Sequence, residues 1–159
     1  GWTLQKLIDE QRLSDPPERA DYVIGDDGTG LAADALGWLH INCGVACHND
    51  GVNSEAEVTG LRMDFDPSLL DGRPSTDFET RKLLVNVPAV TAQWRGRMRI
   101  VPGKPEESLL YNLITTRVTG AGNKQMPPLA TRSVDEKNAA KIRDWILAMK
   151  PSEETRSDP

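Results

Sequence analysis

The sequence predicts a mainly α domain with long loops and a small β-hairpin insertion. Three observations predict it: a helical pattern from Leu31 that runs straight into a cysteine pair, two further helical patterns that close the chain, and between them a stretch rich in Pro and Gly where apolar residues alternate. With 159 residues, 38% of them apolar, the chain is long enough for one domain with a real core, expected over residues 31–150. Residues 1–30 read as an N-terminal extension or a linker from an upstream domain, and residues 151–159, which hold no apolar side chain, as a disordered tail.

The extension carries a short amphipathic stretch, Trp2-Thr3-Leu4-Gln5-Lys6-Leu7-Ile8, then Asp15-Pro16-Pro17 and the turn-rich Gly25-Asp26-Asp27-Gly28-Thr29-Gly30. From there Leu31, Ala35, Trp38, Leu39 and Asn42 mark faces at helical spacing, with no Pro before the cysteines, so a helix is expected to lead directly into Cys43. Between Val58 and Val101 the period changes. Leu61, Met63 and Phe65 alternate with polar residues as in a strand, and a second short strand is expected through Met98, Ile100 and Val101. Pro67, Gly72, Pro74, Pro88, Gly96, Pro102 and Gly103 punctuate the region, which limits it to long loops around a small sheet at most. Loops of this length inside a compact domain are uncommon unless they wrap something or carry function.

The two closing helices have marked ends. Pro105 suits a first helical position, Glu106 and Glu107 suit the positive end of the helix dipole, and Leu109, Leu110, Leu113 and Ile114 form an apolar stripe. Ser133-Val134-Asp135-Glu136 has the spacing of a capping box, and Ala139, Ile142, Trp145, Ile146 and Met149 give one apolar face before Lys150-Pro151 ends the pattern.

Charge and composition narrow the function. A net charge of −5 with both signs interspersed does not make a nucleic-acid surface, which needs clustered Lys and Arg. No apolar run approaches the roughly 18 residues that cross a bilayer, so no membrane span is expected. The start at Gly1, without a Met or a signal-like segment, reads as a processed piece or as part of a larger polypeptide. Only two cysteines occur, four positions apart, which excludes a disulfide framework joining distant parts of the chain.

Those cysteines sit in Asn42-Cys43-Gly44-Val45-Ala46-Cys47-His48-Asn49. Covalent haem attachment needs two thiols that reach the two vinyl groups and a His placed to ligate iron; the usual run is C-x-x-C-H, and here one more residue separates the thiols. Residues at i and i+4 still share a helix face, and the extra residue is expected to be absorbed by a widened turn at Gly44-Val45-Ala46, where small side chains let the backbone move. His48 directly follows Cys47, a placement that neither a disulfide nor a structural thiol pair requires. A sixth ligand is expected from Gln125-Met126-Pro127-Pro128, whose prolines stiffen a loop between the last two helices around Met126. Met63 and Met149 fall on core faces, and Met98 stands between Arg97 and Arg99 without a clear role.

Other chemistries stay open on the residues alone. A copper-binding protein could use the C-x-x-x-C thiols and a His, because soft thiolates favour copper. The binuclear copper pattern, however, wants a His near position 51 and a Met near 54, which are Gly51 and Ser54. The two thiols could also belong to a disulfide or remain free in a haem-free interaction domain. His40 is a candidate distal ligand in place of Met126, although its place on the helix before the cysteines fits a surface or propionate-side His better. Trp38, Trp94 and Trp145 read as packing residues, and Arg95-Gly96-Arg97-Met98-Arg99 either as a solvated loop or as partners of haem propionates.

The helix into Cys43-x-x-x-Cys47-His48, Met126-Pro127-Pro128 and the closing helix around Trp145 resemble a class I c-type cytochrome. More closely, Trp38 to Asn49, Gly60 to Asp66, Val101 to Tyr111 and Gln125 to Pro128 resemble C-terminal cytochrome c domains of secreted bacterial proteins. The departure lies in the cysteine spacing. The resemblance implies a class I cytochrome c-like helical domain with one covalent haem c held by Cys43 and Cys47, and iron ligated by His48 and Met126. It also implies a one-electron carrier rather than an enzyme, a redox partner protein, and a periplasmic or extracellular setting, where haem is attached to such motifs.

Overall fold

A computed structural model describes residues 3–18, 20–117, 125–129 and 131–151. Its described residues are mainly helical: α1 Leu4–Asp9, α2 Ala32–Leu39, α3 Glu55–Thr59, α4 Glu79–Leu84, α5 Leu109–Thr115 and α6 Glu136–Ala148. None is long and apolar enough to cross a membrane.

The core lies where α6 packs against both α2 and α5. Ala32, Ala35, Leu36 and Leu39 of α2 recur on one face, as do Ala139, Ile142, Trp145 and Ile146 of α6, and Leu110 and Ile114 of α5 close the cluster. Each large aliphatic side chain taken out of water here contributes about 1.5–3 kcal/mol. The face expected of α2 is rotated slightly: Leu31 is exposed and Trp38 half-buried, so the helix turns Ala32 and Leu36 inward instead. The apolar face of α6 is as the spacing predicts, including Met149 just past its end.

Both helix starts differ in detail from expectation. The N-cap of α6 is Asp135, whose carboxylate accepts from the Asn138 amide at 3.2 Å and the Asn138 side chain at 2.7 Å. Aspartate caps as well as serine and stands two residues closer to the first apolar turn, so the Ser133 side chain does not cap the helix and Ser133 lines a cavity. Pro105 opens a single 3₁₀ turn, Pro105–Glu107, and not α5 itself. The buried Ser108 separates the two, its hydroxyl accepting from the Val101 amide at 2.9 Å and donating to the Lys104 carbonyl at 2.9 Å.

No strand forms among the described residues, so the β-hairpin insertion is a correction. Met63 and Phe65 are buried as the alternation predicts, but the extended segment around them binds the turn that carries the cysteines and no neighbouring strand. Near Met98 the chain comes closest to a hairpin, with an antiparallel bridge between Pro88 and Met98 and the bonds Ala89 N to Arg97 O (2.9 Å) and Arg99 N to Val87 O (2.9 Å). Pro88 falls at the non-hydrogen-bonded position of this pair, where the absence of an N–H costs no ladder bond.

The extension expected over residues 1–30 divides in two. Helix α1 buries none of its residues. Asp27, by contrast, has a fully buried side chain whose Oδ2 accepts from Arg81 Nε of α4 at 3.1 Å and from Trp145 Nε1 of α6 at 3.0 Å. Residues around Asp27 are thus bolted to the helical core. Of the tail expected over 151–159, residues 152–159 lie outside the described residues.

Candidate functional site

Helix α2 does not stop before the cysteines; it widens. His40–Gly44 forms a π turn in which the Val45 amide bonds to the His40 carbonyl at 2.8 Å, five residues back. A second five-residue bond joins the His48 amide to the Cys43 carbonyl at 2.8 Å. The widening expected at Gly44-Val45-Ala46 therefore begins earlier, at His40, and is repeated across the motif. This second bond spans the extra residue and returns His48 to within one turn of Cys43.

Gly44 is needed where it stands. A Cβ there would lie 2.6 Å from the backbone of Met63 and Asp64, so only a glycine lets the 61–65 segment pass this close to the turn. Asn49 staples the end of the turn, its amide donating to the carbonyls of Gly44 (3.0 Å) and Val45 (3.1 Å).

His48 is 7% exposed, and its Nδ1 lies 3.1 Å from the Leu61 carbonyl. A carbonyl oxygen only accepts, so the proton sits on Nδ1 and Nε2 keeps its lone pair. Burial pushes the imidazole pKa below its ordinary value; the Leu61 bond and Glu55 oppose this, and the charge of Arg99 adds to it. The neutral ring is the form that binds metals. Its backbone is held as well, the Met63 amide donating to the His48 carbonyl at 2.8 Å.

Cys43 is half-buried and Cys47 exposed, both as free thiols. Burial, with the charge of Cys47 second, pushes the Cys43 thiol up to about 12. Cys43 lines a cavity of about 200 Å³ together with Trp38, Ile114, Arg117, Met126 and Ala139. Met126 reaches it from a loop tied to α5, its amide donating to the Leu113 carbonyl at 2.9 Å. The buried side chain of Gln125 braces that loop by donating to Pro127 O (3.2 Å) and to Thr131 O (3.3 Å) and Oγ1 (3.2 Å).

The structure thus brings Cys43 and Met126 to one cavity, while His48 and Cys47 are not among its lining residues. Cys43, Cys47 and His48 do not converge as a group that could hold one ion, nor do any three His, Cys, Asp or Glu among the described residues. His40 has a different task from those expected of it. Its Nδ1 accepts from the Phe65 amide at 3.0 Å and its ring stacks on Phe65 at 4.7 Å, so it anchors the wide turn to the core.

Trp145 packs at the centre of the core and Trp38 packs against it, as expected of both, and Trp38 also lines the cavity. The arginine run is divided: Arg97 lies over the Trp94 ring at 5.6 Å, while Arg99 is buried and bound to carbonyls. Neither borders the cavity, where the guanidinium is that of Arg117. The tasks that Gly44, Asn49, Arg99 and Gln125 perform here were missed by sequence reasoning. Asn49 beside the motif offered a signal; nothing in a run of three arginines distinguishes Arg99.

The fold shown is a mainly α one. No protein-family model, curated protein or solved structure matches the chain.

Proposed function

We propose that this chain is an electron-transfer protein of class I cytochrome c type, with one haem c joined to Cys43 and Cys47 and ligated by His48 Nε2 and Met126 Sδ. The observation that supports this reading is that Cys43 and Met126, from opposite ends of the domain sequence, line one cavity, while His48, outside that lining, carries its proton on Nδ1 and leaves Nε2 unengaged. Haem, when bound, supplies an iron centre that takes up and releases one electron.

The chain's own residues have separable tasks. The π turn sets the register between Cys43 and His48, and Leu61 fixes the tautomer of the ring, the arrangement by which outer partners orient a ligating His. Trp38, Ile114 and Ala139 supply apolar walls, and Arg117 supplies a positive charge at the cavity. Copper is disfavoured because its site needs converging ligands, whereas Cys43, Cys47 and His48 do not converge. The reading carries with it a redox partner protein and attachment of haem outside the cytoplasm.

The test is a visible spectrum of protein made in a host with haem-maturation machinery. Sharp bands in the reduced protein and colour that stays with the polypeptide through acid-acetone extraction support the reading. A colourless protein refutes it.

A further inference from the structure

We infer that Arg99 is the positioning residue of His48, acting through the Thr59–Leu61 segment. Arg99 is 5% exposed. Its Nη2 donates to the Thr59 carbonyl at 2.7 Å, and its Nη1 donates to the Gly60 carbonyl at 3.1 Å and to the Leu83 carbonyl of α4 at 2.8 Å. These partners are all carbonyl oxygens. A guanidinium taken from water without a carboxylate partner is an expensive way to hold a loop, and neutral surroundings would serve packing alone.

What the fork grips explains the expense. Thr59 and Gly60 immediately precede Leu61, whose carbonyl receives the His48 Nδ1 proton, and Met63 two residues on holds the His48 carbonyl. The tilt of this segment therefore sets the tilt of the ring. Gly60 sits at φ +60°, which ends α3 and turns its carbonyl toward Arg99. Arg99 is itself fixed through its backbone: its amide donates to Val87 O at 2.9 Å, and its carbonyl accepts from the Leu110 amide of α5 at 3.0 Å. Since Met126 is tied to Leu113 of the same helix, α5 joins the thioether side to the imidazole side through Arg99. The planar fork matters as well as the charge. A lysine ammonium is a single point and cannot hold three carbonyls in one fixed plane.

The role of His48 as an iron ligand rests on the haem reading above, whereas its orientation by Arg99 does not. The experiment is nitrogen-resolved NMR of the His48 ring in the full chain as purified, for the wild type, Arg99→Lys and Arg99→Met. The wild type should be protonated on Nδ1 with slow exchange of that proton. In Arg99→Lys the exchange should quicken about tenfold or more while the α6 amides keep their protection, because the segment loosens and the core does not. Arg99→Met should show the same or a larger effect. Unchanged exchange in a folded variant, or a quickening matched by the α6 amides, overturns the inference. If neither variant folds, the wild type decides it: a ring protonated on Nε2, or an Nδ1 proton that exchanges independently of the Arg99 guanidinium protons, overturns it, and an Nδ1 proton whose exchange tracks theirs while the α6 amides stay protected supports it. Haem content, read separately from the visible spectrum, keeps failure of the haem reading distinct from failure of this one.

Discussion

The two parts of the candidate site, the turn that carries His48 and the loop that carries Met126, are held by different means. On the histidine side, backbone binds backbone at close range: five-residue bonds in the π turn, Met63 to His48, and Gly44 pressed against Met63 with no room for a methyl group. On the methionine side, among the described residues, a short loop hangs from the backbone bond to Leu113, the side chain of Gln125 and the Thr131 hydroxyl. The first side is set by steric fit, the second by a few replaceable hydrogen bonds. A candidate site with one side held by steric fit and the other by a few hydrogen bonds should respond unequally to equal-sized mutations.

The largest effect should come from the frame that both sides share. Asp27→Ala strands the Arg81 guanidinium and the Trp145 N–H in the core, a loss of about 3–5 kcal/mol that chemical denaturation would read. Acid probes the same node. Burial alone raises the Asp27 carboxyl, but the hydrogen bonds from Thr29, Trp145 and Arg81 together with the Arg81 charge outweigh it, so its pKa lies below the ordinary value. Its stabilisation is then complete above the unfolded value of about 3.9 and is lost as pH falls through the lower folded value. Asp27→Asn, which keeps an acceptor without the charge, should flatten the fall in stability below about pH 4 relative to the wild type. An unchanged acid limb would mean that Asp27 is not the group responsible.

Gly44→Ala comes next and breaks the histidine side. The new methyl group must displace backbone at Met63 and Asp64, at a cost of about 1–3 kcal/mol, and His48 should lose its bond to Leu61 with it. A thermal melt alongside the His48 ring resonance checks both, and a variant as stable as the parent would show that the turn and the 61–65 segment are not in contact. The smaller effect belongs to Gln125→Ala. Loss of the brace should cost about 1 kcal/mol and loosen Met126 while leaving the His48 ring unmoved. Equal disturbance of both sides would erase the asymmetry described here.

Much of this was legible before any coordinates. The faces of α6 and α5 follow from spacing, because helix periodicity is local and the apolar positions are unbroken. Leu61 to Phe65 misled for a physical reason: alternation reports which side of an extended segment is buried, and it is silent on what the backbone bonds to. Here the backbone bonds to a turn. The His and Met candidates were readable from residue type and order, but the convergence of Cys43 and Met126 on one cavity depends on α6 meeting both α2 and α5, a long-range fact. Arg99 was hidden most completely, since burial of one arginine among three is decided by Thr59, Gly60 and Leu83, distant in sequence.

Covalent haem at Cys43 and Cys47 is the central claim, and intact mass under denaturing conditions tests it most directly. The wild type and a Cys43→Ser, Cys47→Ser double variant would be made in the same haem-maturing host and weighed after denaturation. The account predicts that the wild-type polypeptide exceeds its chain mass by one haem and that the double variant does not. A wild-type mass equal to the bare chain, from cells that load a control cytochrome fully, would contradict it.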